Sequence, residues 1–480
     1  MKLKMTIVLV TIILVFTIYA CSNDVSTTTL LETTLTTITN STTTTASTSL
    51  VCNDDEKLID GTCIKLMDVT YTLEEVTEDF DRVVHIFDYF NPMLFSNQED
   101  VDNVISEQRL LLRDGMTQLE LMRVIAPVIA AYKCGHSHIF PGSELYQYLD
   151  DYASLVPLLV KIISGKLYVV NNLENEEIPI GSEIISINNY SVDEIYNIFM
   201  KGFSTDGDNL TAINNIVNDH FNHFFMELID ITDNYDIEYL KPDTTEILTI
   251  NIPGVISSTL SEYYNYGEFH PVSTSYCNDY AILKIRTFQE LPNYTLSDFS
   301  EAFLDFFTYV NDNEIENVII DVRGNGGGDP RPSSELFSYI AKYSQPYWVD
   351  SVPDYYPGLK EDVPLASQHY SGNLYFLVDG GCFSTTGHFV ALVKSQEIGV
   401  IIGEETGGSY ACSDSSSSYT LPNTKLTVYT SKQIWEVFTE GLTHGRGIIP
   451  DYELNLTLAD YINGTDSVMD FTIDLINSSN

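Results

Sequence analysis

Ser384 is the residue of this sequence best placed for nucleophilic chemistry. It stands three residues beyond the Gly380-Gly381 turn, between an apolar run ending at Asp379 and a helix-like stretch, Ser384 to Lys394. A hydroxyl at a helix start lies beside free backbone N–H groups and the positive end of the helix dipole. Both suit an attack that creates an oxyanion. The same position equally suits an ordinary N-cap serine. A second glycine-rich turn, Arg323-Gly324-Asn325-Gly326-Gly327-Gly328, adds weight to the chemical reading. Three consecutive glycines let the backbone approach a ligand closely and point N–H groups at it. A phosphate loop would continue with Lys-Ser/Thr, whereas Asp329 and Pro330 follow here.

A hydroxyl needs a base at neutral pH, and the chain has nine histidines. His136 stands in the short polar turn Cys134-Gly135-His136-Ser137-His138, His388 lies one helical turn after Ser384, and His444 is in the loop Thr443-His444-Gly445-Arg446-Gly447. Residue types and spacing leave the three open. His220 and His223 are three apart near Asp219 and Glu227, but no further ligand motif accompanies them, and no Cys-x-x-Cys pair exists. No metal site is expected. Cys134, Cys382 and Cys412 lie near these segments in sequence and read as small buried thiols.

The elements that must hold these groups follow an α/β pattern. From Tyr280 to Leu456 strands alternate with helices: Tyr280–Ile285, Asn317–Val322, Asn373–Asp379 and Gly399–Glu405 are strand-like. Ser297–Val310, with Ser297 as its N-cap, Ser333–Tyr343 and Ser384–Lys394 are helix-like. Strands that end in glycine turns and feed helices put ligand chemistry at their carboxyl ends. Met67 to about Tyr132 reads as helical, with Thr117 and Glu120 forming a capping box. Short strands separated by turns follow from Leu167 to Ile198.

The chain has 480 residues, with 23 basic against 68 acidic side chains and a formal charge of −45. Such a surface repels nucleic acid and anionic lipid, which argues against binding to either as the main business. Residues 1–20 have a basic start followed by the uncharged run Thr6 to Ala20, the pattern of a secretory leader. Ala20-Cys21 resembles a bacterial lipoprotein cleavage site, with Cys21 carrying the lipid; leader cleavage near Ala20 without lipidation is the alternative. Residues 21–50 are rich in Thr and Ser without periodicity and read as a flexible stalk. The expectation is an exported, extracytoplasmic chain that touches the membrane only through a lipid anchor. In that compartment Cys52 and Cys63, which flank a turn-rich stretch, can close a small disulfide loop.

Taken together, these segments resemble the family of C-terminal processing peptidases and tricorn-core-like serine peptidases. The matching stretches, in order, are AAYKCGHSHIF (130–140), PIGSEIISINNYSV (179–192), YAILKIRTF (280–288), VIIDVRGNGGG (318–328), LVDGGCFSTTGHFVALVK (377–394), IIGEETGG (401–408) and GRGIIPDYEL (445–454). The resemblance implies a crotonase/Clp-like α/β catalytic core, a PDZ-like subdomain and an N-terminal helical segment. It also implies Ser384 as nucleophile, and an oxyanion hole from the N–H of Thr385 and one from Gly326 or Gly327. The family's lysine base is missing after Thr406 while His136 is present, so the chain looks like the histidine-base branch. The orienting acid is expected at Glu440, with Glu436 second. One departure is Gly387, where the family often carries a glutamate.

The resulting expectation divides the chain into a leader (1–20), a linker (21–50), a Cys-bounded loop (51–66), a helical domain (67–132), a PDZ-like and substrate-binding region (133–274), a catalytic core (275–460) and a tail (461–480). The implied activity is hydrolysis of peptide bonds of exported proteins or peptides through a Ser-His(-Glu) acyl-enzyme, without cofactor. A catalytically inactive, tethered peptide-binding protein on the same scaffold is the alternative, and an esterase is a weaker one.

Overall fold

The structure is a computed structural model that describes residues 52–53, 55–59, 61–264 and 268–479. The leader, Cys21 and the Thr/Ser-rich stretch therefore lie outside the described residues. The chain divides into a unit up to Val69 and a large unit from Thr70 onward. In the first, strands Glu56–Ile59 and Thr62–Lys65 form an antiparallel hairpin, and Cys52 is disulfide-bonded to Cys63.

The large unit is a mixed α/β structure built on a six-stranded sheet. Its order is Val272–Tyr276, Ala281–Ile285, Asn317–Asp321, Asn373–Val378, Val400–Gly403 and Tyr452–Glu453. The first pair is antiparallel and every later pair is parallel. Parallel strands covered on both faces read as continuous apolar runs, and Val318, Ile319 and Ile320 are all fully buried. Val318 and Ile320 join the core beneath helices Leu296–Asp312, Pro330–Ile340 and Thr385–Ser395. Ile319 faces the other way, against Val468 and Ile476 of helix Ser467–Ser479. Each such side chain contributes about 2 kcal/mol on burial, so this sheet is the rigid base from which the glycine turns project.

Two helix starts differ from the sequence reading. Helix Leu296–Asp312 is capped by Thr295 in a capping box with Asp298, just before Ser297. Helix Pro330–Ile340 starts directly after the glycine turn, because Asp329 caps it and Pro330 supplies a preset first residue. The capping box of Thr117 and Glu120 is present, opening helix Gln118–Ala131.

A second sheet, antiparallel throughout, has the order Ile247–Pro253, Asn234–Leu240, Glu183–Ile187, Lys166–Asn171, Leu159–Ile163, with Tyr190–Ser191 beside Glu183–Ile187. Helices Val192–Gly202 and Leu210–Leu228 belong to this part of the chain. A third, small sheet joins distant segments: His138–Phe140 pairs with Thr427–Thr430, which pairs with Ser417–Thr420. Next to it Ala411–Asp414 pairs with Gln433–Glu436. Among the described residues no helix is long and apolar enough to cross a membrane.

Candidate active site

The strand Asn373–Val378 delivers the chain to Ser384 through a tight turn. Gly381 N–H and Gly324 N–H both donate to Asp379 Oδ1, at 2.9 and 2.8 Å, which fixes the two glycine turns against each other. Ser384 then takes φ 54° and ψ −125°, and helix Thr385–Ser395 begins at the next residue. A non-glycine residue at positive φ outside a turn's usual left-handed well stores strain of about 1–3 kcal/mol. The ordinary capping role does not account for it, because the Ser384 side chain makes no cap hydrogen bond. Its Oγ lies instead 3.1 Å from His136 Nε2. Ser384 is thus held on a strained strand-to-helix elbow that presents its hydroxyl to an imidazole.

His136 is brought there by the small third sheet. Strand His138–Phe140 pairs with Thr427–Thr430 just beyond it, and Ser416 Oγ donates to the His136 carbonyl at 3.1 Å. The Phe383 ring lies 4.7 Å from the imidazole, centre to centre. Gly135 permits this approach: a Cβ there would come within 2.6 Å of the Phe383 ring. His136 is 6 % exposed, so its ring is largely shielded from bulk water. The other candidates are elsewhere. His388 is buried against Trp348, and burial, with the charge of His136, pushes its pKa down to about 3. His444 bonds Tyr410 and the Leu94 carbonyl. His223 bonds Ser257 through Nε2, and no group of three or more metal-ligating side chains occurs among the described residues.

The glycine turn closes the opposite side of Ser384. Phe383 N–H donates to the Asn325 carbonyl at 3.1 Å, and Thr385 Oγ1 donates to the Gly328 carbonyl at 2.6 Å. Asn325, fully buried, donates to the Ile285 carbonyl and accepts from Gly327 N–H at 2.9 Å. The Gly327 N–H is therefore occupied. Gly326 N–H has no partner among the described residues, and Thr385 N–H belongs to the first helical residue, whose donor has no place in the helix ladder. Gly327 is the wall: at φ +101°, a Cβ would meet Phe383 O at 2.8 Å, Ser384 Cβ at 2.9 Å and Thr385 N at 2.9 Å. Behind the elbow, Gly408 N–H donates to the Cys382 carbonyl at 2.8 Å, and Gly387 lies against the Gly408 backbone, where a Cβ would come within 2.6 Å. No glutamate fits at Gly387.

The structure does not bring Glu440 to His136. Glu440 is exposed, and its backbone N–H is bonded to Ser395 Oγ. Glu436 pairs through its backbone with Ala411 and Val349. Strand Gln433–Glu436 pairs antiparallel with Ala411–Asp414, and it is Asp414, at the end of that pairing, whose Oδ2 comes within 3.8 Å of His136 Nε2. A second carboxylate, Asp206, interacts with His136 through charge and accepts from Gly135 N–H at 2.9 Å. Sequence reasoning passed over both. Asp414 sits in a low-complexity serine run, and Asp206 in an Asp-Gly turn seventy residues from His136, a distance only the fold closes.

The three cysteines near the site are buried, as expected. Burial pushes the Cys134 thiol up to about 12 and those of Cys382 and Cys412 well above the ordinary range. Buried thiols of this kind are not thiolates.

A hydroxyl on a strained elbow, an imidazole at hydrogen-bond distance and two interlocked glycine turns on a parallel sheet make up an arrangement suited to nucleophilic acyl chemistry. Residues 279–454 match the model of peptidase family S41, a family of serine-type hydrolases. Among solved structures, mature CPAF complexed with lactacystin is similar over 85% of this chain and 99% of its own, at 15% identity and a TM-score of 0.59. The photosystem II D1 C-terminal processing protease is similar over 83% of this chain and 99% of its own (15% identity, TM-score 0.41). The tricorn protease is similar over 85% of this chain and 37% of its own (16% identity, TM-score 0.40). No curated protein matches the chain in sequence.

Proposed function

We propose that the chain hydrolyses peptide bonds through an acyl-enzyme on Ser384, with His136 as general base. The observation that carries this reading is the 3.1 Å approach of His136 Nε2 to the Oγ of a serine at φ 54°. As Ser384 attacks a peptide carbonyl, His136 takes its proton at Nε2 and passes it to the leaving amine; water, activated by the same ring, then releases the acyl group. The developing oxyanion is received by Thr385 N–H and Gly326 N–H. Each such donor is worth about 3 kcal/mol of barrier. Gly327 shapes the approach without donating.

Within this reading the six-stranded sheet and its helices are a crotonase/Clp-like catalytic core. The second sheet is a PDZ-like module whose edge strands can add a substrate's extended end. In this reading residues 1–20 are a secretory leader and Cys21 carries a lipid, so the enzyme acts outside the cytoplasm on exported polypeptides. The reading is tested by incubating the purified protein with an unfolded polypeptide and with a matched peptide ester. Cleavage of the polypeptide that is lost in Ser384→Ala supports it. Ester hydrolysis without any peptide cleavage points to an esterase, and no turnover of either by a folded protein points to a tethered binding protein.

A further inference from the structure

The proposed mechanism leaves one requirement unmet by the expected acid. For Nε2 to accept a proton, the imidazole must carry its resting proton on Nδ1, and the positive ring that forms must be stabilised. His136 Nδ1 is buried and has no hydrogen-bond partner among the described residues. The charged groups that face His136 narrow the choice. His138, on its own segment, and His388, from helix Thr385–Ser395, are both held neutral by burial, with pKa values pushed down to about 3. Cys134, on the same loop, stays protonated, and Cys412 likewise. Two carboxylates remain, Asp414 and Asp206. Asp414 approaches Nε2, the nitrogen that must meet Ser384, and its other oxygen accepts from Ser416. It is on the wrong side of the ring to hold the Nδ1 proton.

Asp206 is built into the histidine loop. It is 1 % exposed. Its Oδ1 accepts from the N–H of Gly135, the residue directly before His136, at 2.9 Å. Its Oδ2 is buried and has no partner among the described residues, the same condition as His136 Nδ1. The segment around it is clamped to the histidine loop from both sides. Ser204 Oγ accepts from Cys134 N–H and donates to the Cys134 carbonyl, Gly207 N–H donates to the Lys133 carbonyl, and Lys133 pairs with Asp208. The far side is fixed to the loop around Gly445, since Asp208 N–H donates to the Gly445 carbonyl and a Cβ at Gly207 would clash with it. A buried carboxylate with a free oxygen is costly unless something uses its charge.

We infer that Asp206, rather than an acid near the end of the core, is the positioning residue of His136: it holds the loop through Gly135 and keeps the resting proton on Nδ1, directly on ring rotation or through one bridging water. This rests on the Ser384–His136 reading. Asp206 balances the positive ring while the proton moves from Ser384 Oγ to Nε2 and on to the leaving amine. Burial raises the Asp206 pKa to about 6 while the charge of His136 opposes the rise.

The test compares Asp206→Asn, Asp414→Asn and His136→Ala in the full chain, with a peptide substrate and pH profiles. The amide introduced by Asp206→Asn retains an oxygen for Gly135 N–H but loses the charge. The expected result is a fall in kcat of about 10²- to 10⁴-fold with little change in KM, and an acid limb of kcat/KM moved to lower pH. Asp414→Asn falls less than tenfold. Asp206→Glu, which keeps the charge, recovers part of the loss. Wild-type kcat and pH profile in a folded Asp206→Asn, with His136→Ala inactive, overturns the assignment of Asp206 alone. Full activity of His136→Ala overturns the underlying reading instead. An equal loss in Asp206→Asn and Asp206→Glu with no pH shift marks a merely structural residue and also overturns the proposal.

Discussion

Gly327→Ala is the substitution whose effect the geometry defines most sharply. The added methyl would lie 2.8 Å from Phe383 O, 2.9 Å from Ser384 Cβ and 2.9 Å from Thr385 N. Ordinary contacts for such a carbon begin near 3.4 Å, so the two turns must separate by about half an ångström. All three neighbours are backbone or the nucleophile's own first carbon, and none can swing aside. The backbone adds a cost, since φ is +101° and a side chain there is strained by about 1–2 kcal/mol. Thermal unfolding should therefore show a loss of roughly 2–3 kcal/mol. Activity should fall further than stability, because displacing an oxyanion donor relative to the nucleophile by a fraction of an ångström costs on the order of 10²-fold in kcat. Gly326→Ala is the comparison: its Cβ meets nothing within 4 Å and the N–H is kept. It should lose far less of both. The assay is kcat on a peptide substrate beside the melting temperature. A Gly327→Ala protein with parental kcat, or a Gly326→Ala protein as damaged as Gly327→Ala, would refute the assignment of wall and donor.

Three further outcomes follow from other parts of the molecule. Arg323 donates to both oxygens of Asp321 and both of Asp466, tying the glycine turn to the start of helix Ser467–Ser479. Burial alone would raise the Asp321 pKa, but Arg323 and Lys284 hold it below the ordinary range; Arg323→Ala strands that buried charge and should cost about 3–5 kcal/mol in urea unfolding, while Asp466→Asn, at a half-exposed site, should cost much less. Glu404 is raised to about 7 by burial and by Asp379, so the folded state holds its proton more tightly than the unfolded chain. The stability it withdraws is absent near pH 4.5 and complete above pH 7, so Glu404→Gln should raise unfolding stability at pH 8.5 by up to roughly 2 kcal/mol, read as a higher melting temperature, but not at pH 5. His388→Gln should keep labelling of Ser384 by a fluorophosphonate within about tenfold, since that ring is held neutral and makes no hydrogen bond to the nucleophile.

The strands of the core were legible because a parallel strand buried on both faces writes itself as an unbroken apolar run, as Asn317–Asp321 does. Helix boundaries were less so. Ser297 and Thr295 are both acceptable caps, and only the reach of Asp298 back to Thr295 decides between them. At the site, Ser384 and the glycine turn were visible through local chemistry, because glycine spacing announces close backbone approach. The base was not. His136, His388 and His444 are equivalent until the pairing of His138–Phe140 with Thr427–Thr430 carries one of them to the elbow. The carboxylates were hidden for the same reason. Glu440 is suggested by order along the chain, yet it lies exposed in a bend beyond strand Gln433–Glu436, while Asp206 depends on a loop clamp that no local pattern encodes.

The central claim is that Ser384 is an activated nucleophile and His136 the group that activates it. The most direct measurement is the rate of covalent labelling of the purified protein by a fluorophosphonate probe, beside Ser384→Ala and His136→Ala. The account predicts labelling of the parent, none in Ser384→Ala, and a rate reduced by at least 10²-fold in His136→Ala. Labelling of His136→Ala at the parental rate would contradict it.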